Sequence, residues 1–304
     1  MPKVSICIPT YNNLEAFKRC FESVLMQTYQ DYEVVITDDS SNNDIEFYLK
    51  NRSLAENIFY YKNKTALGSP ENWNEAMRKS TGEYIKILHH DDFFTYDYSL
   101  QTFVDLLDNN PETSLAFVAS RNFDLEKNTV LSYNKPSNSK IEEIKRNPIT
   151  LINGNFIGAP SSTIFRNNGD YLFDKNTIWL VDIDFYIQLL KDHKKLSYNN
   201  IDAITIGLSP SQITKEVESD IKINTFEFFY LLEKWDINKI KNSIVENTCF
   251  SLLKKFNIYT KRKIRDLNFK GELPSDIDLF LFKILIGKIS IILNHYSSKL
   301  FKST

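Results

Sequence analysis

The chain has 304 residues, 42% of them hydrophobic, and its 37 basic and 39 acidic side chains leave a formal charge of −2. That apolar content suffices for one large core with an appendage and excludes a disordered chain. The near-neutral balance gives no global field toward nucleic acid, so polyanion coating is excluded and any attraction to phosphate must be local.

In chain order, MPKVSICIPTYNN has no apolar h-region after its charge and no small-residue cleavage site, so it reads as a first strand and not as a secretory signal. A helix follows, with Leu14, Phe17, Phe21, Val24 and Leu25 on one face. Further strands are expected at Glu33 to Thr37, Ile58 to Tyr61, Tyr84 to Leu88 and Leu115 to Ala119, alternating with helices. Short, nearly all-apolar strands between helices predict a doubly wound, mostly parallel sheet covered on both faces. From about residue 220 the pattern turns helical, over 222 to 234 and 242 to 257. The expected domains are 1–215, α/β, and 216–304, helical. Cys7, Cys20 and Cys249 lie far apart without C-x-x-C spacing, which suggests small hydrophobes in a reducing, cytosolic compartment.

Ligand chemistry in such a sheet belongs at the carboxyl ends of the strands. Pro9, Thr10 and Tyr11, then Asp38 and Asp39, then His90, Asp91 and Asp92 stand there on three strands. Adjacent carboxylates at the end of a buried strand repel each other and lose hydration, so Asp91 and Asp92 suit a cation or a hydrogen-bonding ligand. A single such pair reads first as the cap of a following helix, and the second pair at Asp38 and Asp39 reverses that reading in favour of a site. No G-x-G-x-x-G follows the first strand, no P-loop occurs, and G-x-S-x-G is absent. His89 and His90 read as a packed and a site-lining residue, because the four histidines have no zinc spacing.

Four blocks resemble the inverting family 2 glycosyltransferases of the nucleotide-sugar-binding GT-A fold: VSICIPTYNN, QTYQDYEVVITDDSS, GEYIKILHHDD and WLVDIDFY. The resemblance covers roughly residues 2 to 210. It implies nucleotide contacts at Pro9, Tyr11, Asp39 and Asp91, with Tyr11 stacking on the base and Asp39 accepting the ring N3–H. That hydrogen is present in uracil and thymine and absent from cytosine, which favours a UDP-sugar first and a dTDP-sugar second. The family's D-x-D motif corresponds to His90-Asp91-Asp92, with Asp92 the direct ligand of Mn²⁺ or Mg²⁺. Asp182 matches the general base, with Asp184 as the fallback, and both also suit the first turn of a helix. Gly154 to Arg166 fits either an acceptor-pocket loop or a strand with its turn, and Asn72, Trp73 and Asn74 open a helix expected opposite the donor crevice, where Trp73 packs.

The implied reaction moves one sugar, with inversion, to a hydroxyl of a glycan or lipid-linked glycan acceptor in bacterial surface polysaccharide synthesis. Single addition follows from the absence of membrane spans and of Q-x-x-R-W. The alternative is a catalytically inactive sugar-nucleotide-binding or scaffolding protein of the same fold. Leu279 to Leu293 is apolar but interrupted by Lys283 and Lys288. It is too short to span a bilayer comfortably, and suits packing on the core, a homo-oligomer contact, or a peripheral place on the inner face of the cell membrane.

Overall fold

The computed structural model describes residues 1–191, 195–208 and 217–300, the last ten as backbone alone. Two compact units result, one of residues 1–151 and 155–212, the other of 152–154 and 213–304.

The first unit begins with β1 (Val4–Thr10), α1 (Leu14–Leu25), β2 (Tyr32–Asp38), α2 (Asp44–Lys50), β3 (Ile58–Lys62), α3 (Glu71–Arg78) and β4 (Tyr84–Ile87). Every residue of β1, β2 and β4 is buried, as expected of strands covered on both faces. α1 starts where the Asn13 side chain accepts the Ala16 N–H, and Phe17, Cys20, Phe21 and Val24 face the sheet. Leu25, expected on that face, is 39% exposed in the last turn.

After β4 come β5 (Phe93–Phe94), α4 (Ser99–Asp108), β6 (Thr113–Asp124), β7 (Thr129–Asn134), α5 (Asn138–Arg146), β8 (Thr163–Arg166), α6 (Val181–Leu190) and β9 (Lys195–Leu208). The nine strands form one sheet in the order β3-β2-β1-β4-β8-β6-β9-β5, with β7 on β6. β3, β2, β1 and β4 are parallel. Beyond β4 the sheet turns mixed: β8 runs antiparallel to both β4 and β6, while β6 and β9 are parallel. Inserting β8 beside β4 brings the segment before it to the carboxyl ends of β1 and β4.

Two polar clasps fix those ends. Buried Asp38 accepts from Ser40 N, Tyr60 Oη and Lys62 Nζ at 2.7, 2.7 and 3.1 Å, closing β2 against β3. At the opposite end, buried Glu33 takes the Ser5 hydroxyl and the Thr81 N–H, each at 2.6 Å. Gly82 passes so close that a Cβ there would lie 2.6 Å from Ser5 N.

The second unit contains α7 (Ile221–Lys234), α8 (Glu246–Lys255), α9 (Lys261–Asp266) and α10 (Ile277–Leu300). Asp220 caps α7 by accepting from Lys222 N and Ile223 N. The helix expected from 242 begins at Glu246, because Asn242 is in the left-handed region at φ +61° and Asp276 holds the Ile240 and Lys241 N–H groups. Phe228, Phe229, Leu253, Phe269 and Phe280 form its core. No helix among the described residues is long and apolar enough to cross a membrane.

Candidate active site

The carboxyl ends of β1, β2 and β4 carry the motif residues, as chain topology requires. Tyr11, just beyond β1, is 55% exposed, so its ring is accessible to a ligand. Pro9 is buried within β1, and its carbonyl accepts from the His90 side chain. Asp39 is only 6% exposed. Its carboxylate accepts from Asn63 Nδ2 at 2.7 Å and from Leu67 N and Gly68 N at 3.0 and 2.8 Å. The acid expected to meet the base thus also organises the loop between β3 and α3.

Asn72 joins the same place, donating to the Thr10 and Thr37 carbonyls. Trp73 is not opposite the crevice: its ring lies 4.4 Å from that of His89 and 5.1 Å from that of Phe173. Helix packing and site lining are therefore one role for this residue.

His89, Asp91 and Asp92 bring their ligand atoms within 4.8 Å of one another. The histidine beside the two acids is His89; His90 turns instead to Pro9. Asp92 is buried, with Oδ1 accepting from Gly207 N at 3.2 Å and the Ser161 hydroxyl also bound. Burial, reinforced by the Asp91 charge, holds its carboxyl well above the usual carboxylate range. Burial pushes the His89 imidazole down to about 4, and its Nε2 is enclosed without a hydrogen-bond partner among the described residues. The His89 nitrogen beside the acids is Nδ1, 3.9 Å from Asp92 Oδ2, and a neutral imidazole with two crowded carboxylates fits a divalent cation, which would neutralise the acids.

Ser161 anchors this turn. Its Oγ accepts the His89 N–H at 3.0 Å, and its carbonyl takes the ammonium of Lys86, which also donates to the Ile87 carbonyl at 2.9 Å. Lys86 is fully buried over the rings of Phe94 and Phe103, and burial lowers it to about 7. The sequence marked the segment around Ser161 only as a loop or a strand turn, because nothing in its spacing reports a contact with β4.

Asp182 stands in the first turn of α6. Its Oδ1 is closed off from solvent without a hydrogen-bond partner among the described residues, while Oδ2 accepts from Asn155 Nδ2 at 3.5 Å. Burial raises the carboxyl to about 7. Asp184, by contrast, is only 1% exposed and points into packed structure. Asn155 also accepts the Gly158 N–H at 2.9 Å, and the Gly158 carbonyl takes the Tyr186 hydroxyl at 2.8 Å. One segment thus touches Asp182 at Asn155 and the His-Asp cluster at Ser161, over a contour of at most about 21 Å.

Sequence comparison matches residues 5–168 to the model of the glycosyl transferase family 2. The GalNAc(5)-diNAcBac-PP-undecaprenol beta-1,3-glucosyltransferase of Campylobacter jejuni is 24% identical over 307 residues, covering 97% of this chain and 90% of that protein. An uncharacterized Mycobacterium tuberculosis protein, MT1568, is 27% identical over 203 residues, which are 62% of each chain. Among solved structures, S. aureus TarS 1-349 in complex with UDP-GlcNAc superposes with a TM-score of 0.60 at 17% identity, covering 84% of this chain and 72% of that one. The mannosyltransferase PcManGT of Pyrobaculum calidifontis, in complex with GDP-Man and Mn²⁺, gives 0.59 at 13% identity, covering 96% and 81%. With the family match spanning more than half of the chain and the same architecture in both structures, the protein belongs to glycosyl transferase family 2 and has the GT-A fold.

Proposed function

We propose that this glycosyltransferase moves one sugar from a UDP-sugar to a hydroxyl of a lipid-linked glycan, with inversion at the anomeric carbon. The observation carrying this reading is the single segment that joins Asp182, half-buried and held at Oδ2 by Asn155, to the His89, Asp91 and Asp92 cluster. Tyr11 would cover the base, and Asp39 would take its N–H while holding the loop at Leu67 and Gly68. His89, Asp91 and Asp92 would hold Mn²⁺ or Mg²⁺, which when bound supplies positive charge to the departing diphosphate.

Asp182 would remove the proton of the acceptor hydroxyl as that oxygen attacks. A carboxyl raised to about 7 is a stronger base than an exposed one and is still substantially ionised near neutral pH. A lipid-linked acceptor follows from the Campylobacter jejuni relative, whose name specifies an undecaprenol-linked substrate. The outer face of α10, with Phe282, Ile286 and Ile289 exposed beside Lys283 and Lys288, would meet the anionic membrane surface that presents it.

The test is release of UDP from a donor panel, UDP-GlcNAc, UDP-glucose and GDP-mannose, with Mn²⁺ or EDTA and an undecaprenol-linked glycan. Metal-dependent turnover of a UDP-sugar is expected. Preference for GDP-mannose overturns the donor assignment, and donor binding without turnover on any acceptor makes the protein a binding module.

A further inference from the structure

We infer that Arg19, on α1, is the cation that pairs with the diphosphate of the donor, an assignment that rests on the nucleotide-sugar reading above. Arg19 and Ser23 are one helical turn apart, so they lie on one face of α1. Ser23 Oγ accepts the Phe94 N–H at 3.1 Å, which fixes that face along β5. The Arg19 guanidinium lies 5.5 Å from the Phe93 ring centroid, beside the residue that directly follows Asp92.

Arg19 is half-buried, its Nε is closed to solvent, and the group makes no hydrogen bond or ion pair among the described residues. A guanidinium taken partly out of water without an anion is costly, and its planar fork matches phosphate oxygens in pairs. Among the described residues, Lys62 donates to Asp38 and to the Ser40 and Asn42 carbonyls and Lys86 to Ile87 and Ser161, while Arg121 is held over the Tyr96 ring with its Nε on Thr205 Oγ1. A cation beside acids that would themselves hold a metal is explained by a ligand carrying more negative charge than those acids neutralise, as a nucleoside diphosphate does.

The experiment measures UDP, UMP and uridine binding to the full chain by calorimetry, with Mn²⁺ and with EDTA, for wild type, Arg19→Gln and Arg19→Lys. Arg19→Gln is expected to weaken UDP by about tenfold or more in both conditions, UMP less, and uridine not at all. Arg19→Lys, which keeps the charge and loses the fork, should fall between and guards against misfolding of the glutamine variant. Equal losses for UDP and uridine, a loss confined to Mn²⁺, or unchanged UDP affinity overturns the assignment of Arg19 alone. Absence of UDP binding by the wild type overturns the nucleotide-sugar reading and this inference with it.

Discussion

The base role proposed for Asp182 can be tested by changing one atom. Asp182→Asn keeps the shape and removes proton acceptance, so UDP affinity should persist while turnover falls by roughly 10²–10⁴. Turnover near wild type in that variant, with collapse in Asp184→Asn, moves the base to Asp184. The base acts ionised, and burial raises Asp182 to about 7. Wild-type kcat/KM should therefore drop about tenfold per pH unit below that point, a limb missing from the residual activity of Asp182→Asn. The same shift has a stability sign. A carboxyl raised on folding binds its proton more tightly in the native state, so its contribution to stability declines as pH rises from about 4 to about 7. A Tm series over that window should be flatter for the asparagine variant. At the nucleotide, Tyr11→Ala should weaken UDP by roughly 1–3 kcal/mol with no change in Tm, because the ring is exposed in the free protein. Unchanged affinity would place Tyr11 outside the site.

At the scale of elements, the turn after β4 is a polar assembly embedded in the core. Asp92 accepts the Gly207 N–H, so Asp92→Ala would strand a buried donor at a cost of about 1–3 kcal/mol. Asp92→Asn keeps an acceptor there, and it should abolish the gain in UDP affinity given by Mn²⁺ while Tm stays near wild type. Equal UDP affinity with and without Mn²⁺ in the wild type would sink the metal assignment. The amino end of β4 packs against the Glu33 clasp, at the end of the strand away from the motif residues. Gly82→Ala would press a methyl against Ser5 and the Glu33 clasp, so urea denaturation should show a loss of about 1–3 kcal/mol with UDP affinity retained in the folded fraction.

At the scale of the whole molecule, α10 has one buried and one exposed face. Ile277, Phe280, Leu281 and Ile284 are buried in the helical unit, whereas Phe282 is 60% exposed and Ile286 49%. Deleting residues 278–304 would therefore unfold that unit and say nothing about membranes. The double change Phe282→Glu and Ile286→Glu spares the core, and it should abolish co-sedimentation with anionic vesicles at unchanged Tm. Full vesicle binding by the double variant would remove α10 from the membrane reading, and a wild-type dimer in light scattering that becomes monomeric in the variant would assign the face to a second copy.

Strands β1 to β4 and β6, the family and the positions of its motif residues were legible in the sequence, because buried strands need continuous apolar runs and ligand-facing residues follow those runs directly, whereas β5, β7 and β9 carry no such run and β8 read equally as a loop. The pairs at Asp38 and Asp39 and at Asp91 and Asp92 could be placed at strand ends on that ground alone. Their division of labour could not. Asp38 spends its oxygens on Tyr60, Lys62 and Ser40, while Asp39 organises the Leu67 and Gly68 turn. His89 joins the acids although the motif alignment pointed to His90. Ser161, Asn155 and Trp73 reach the site across 72, 27 and 16 residues of chain, to His89, Asp182 and His89 respectively. Spacing along a chain reports neighbours on one helix or strand. Contacts made when β8 slots beside β4 exist only once the sheet is assembled, and so does the desolvation that lifts Asp182 and leaves Arg19 Nε without a hydrogen-bond partner among the described residues.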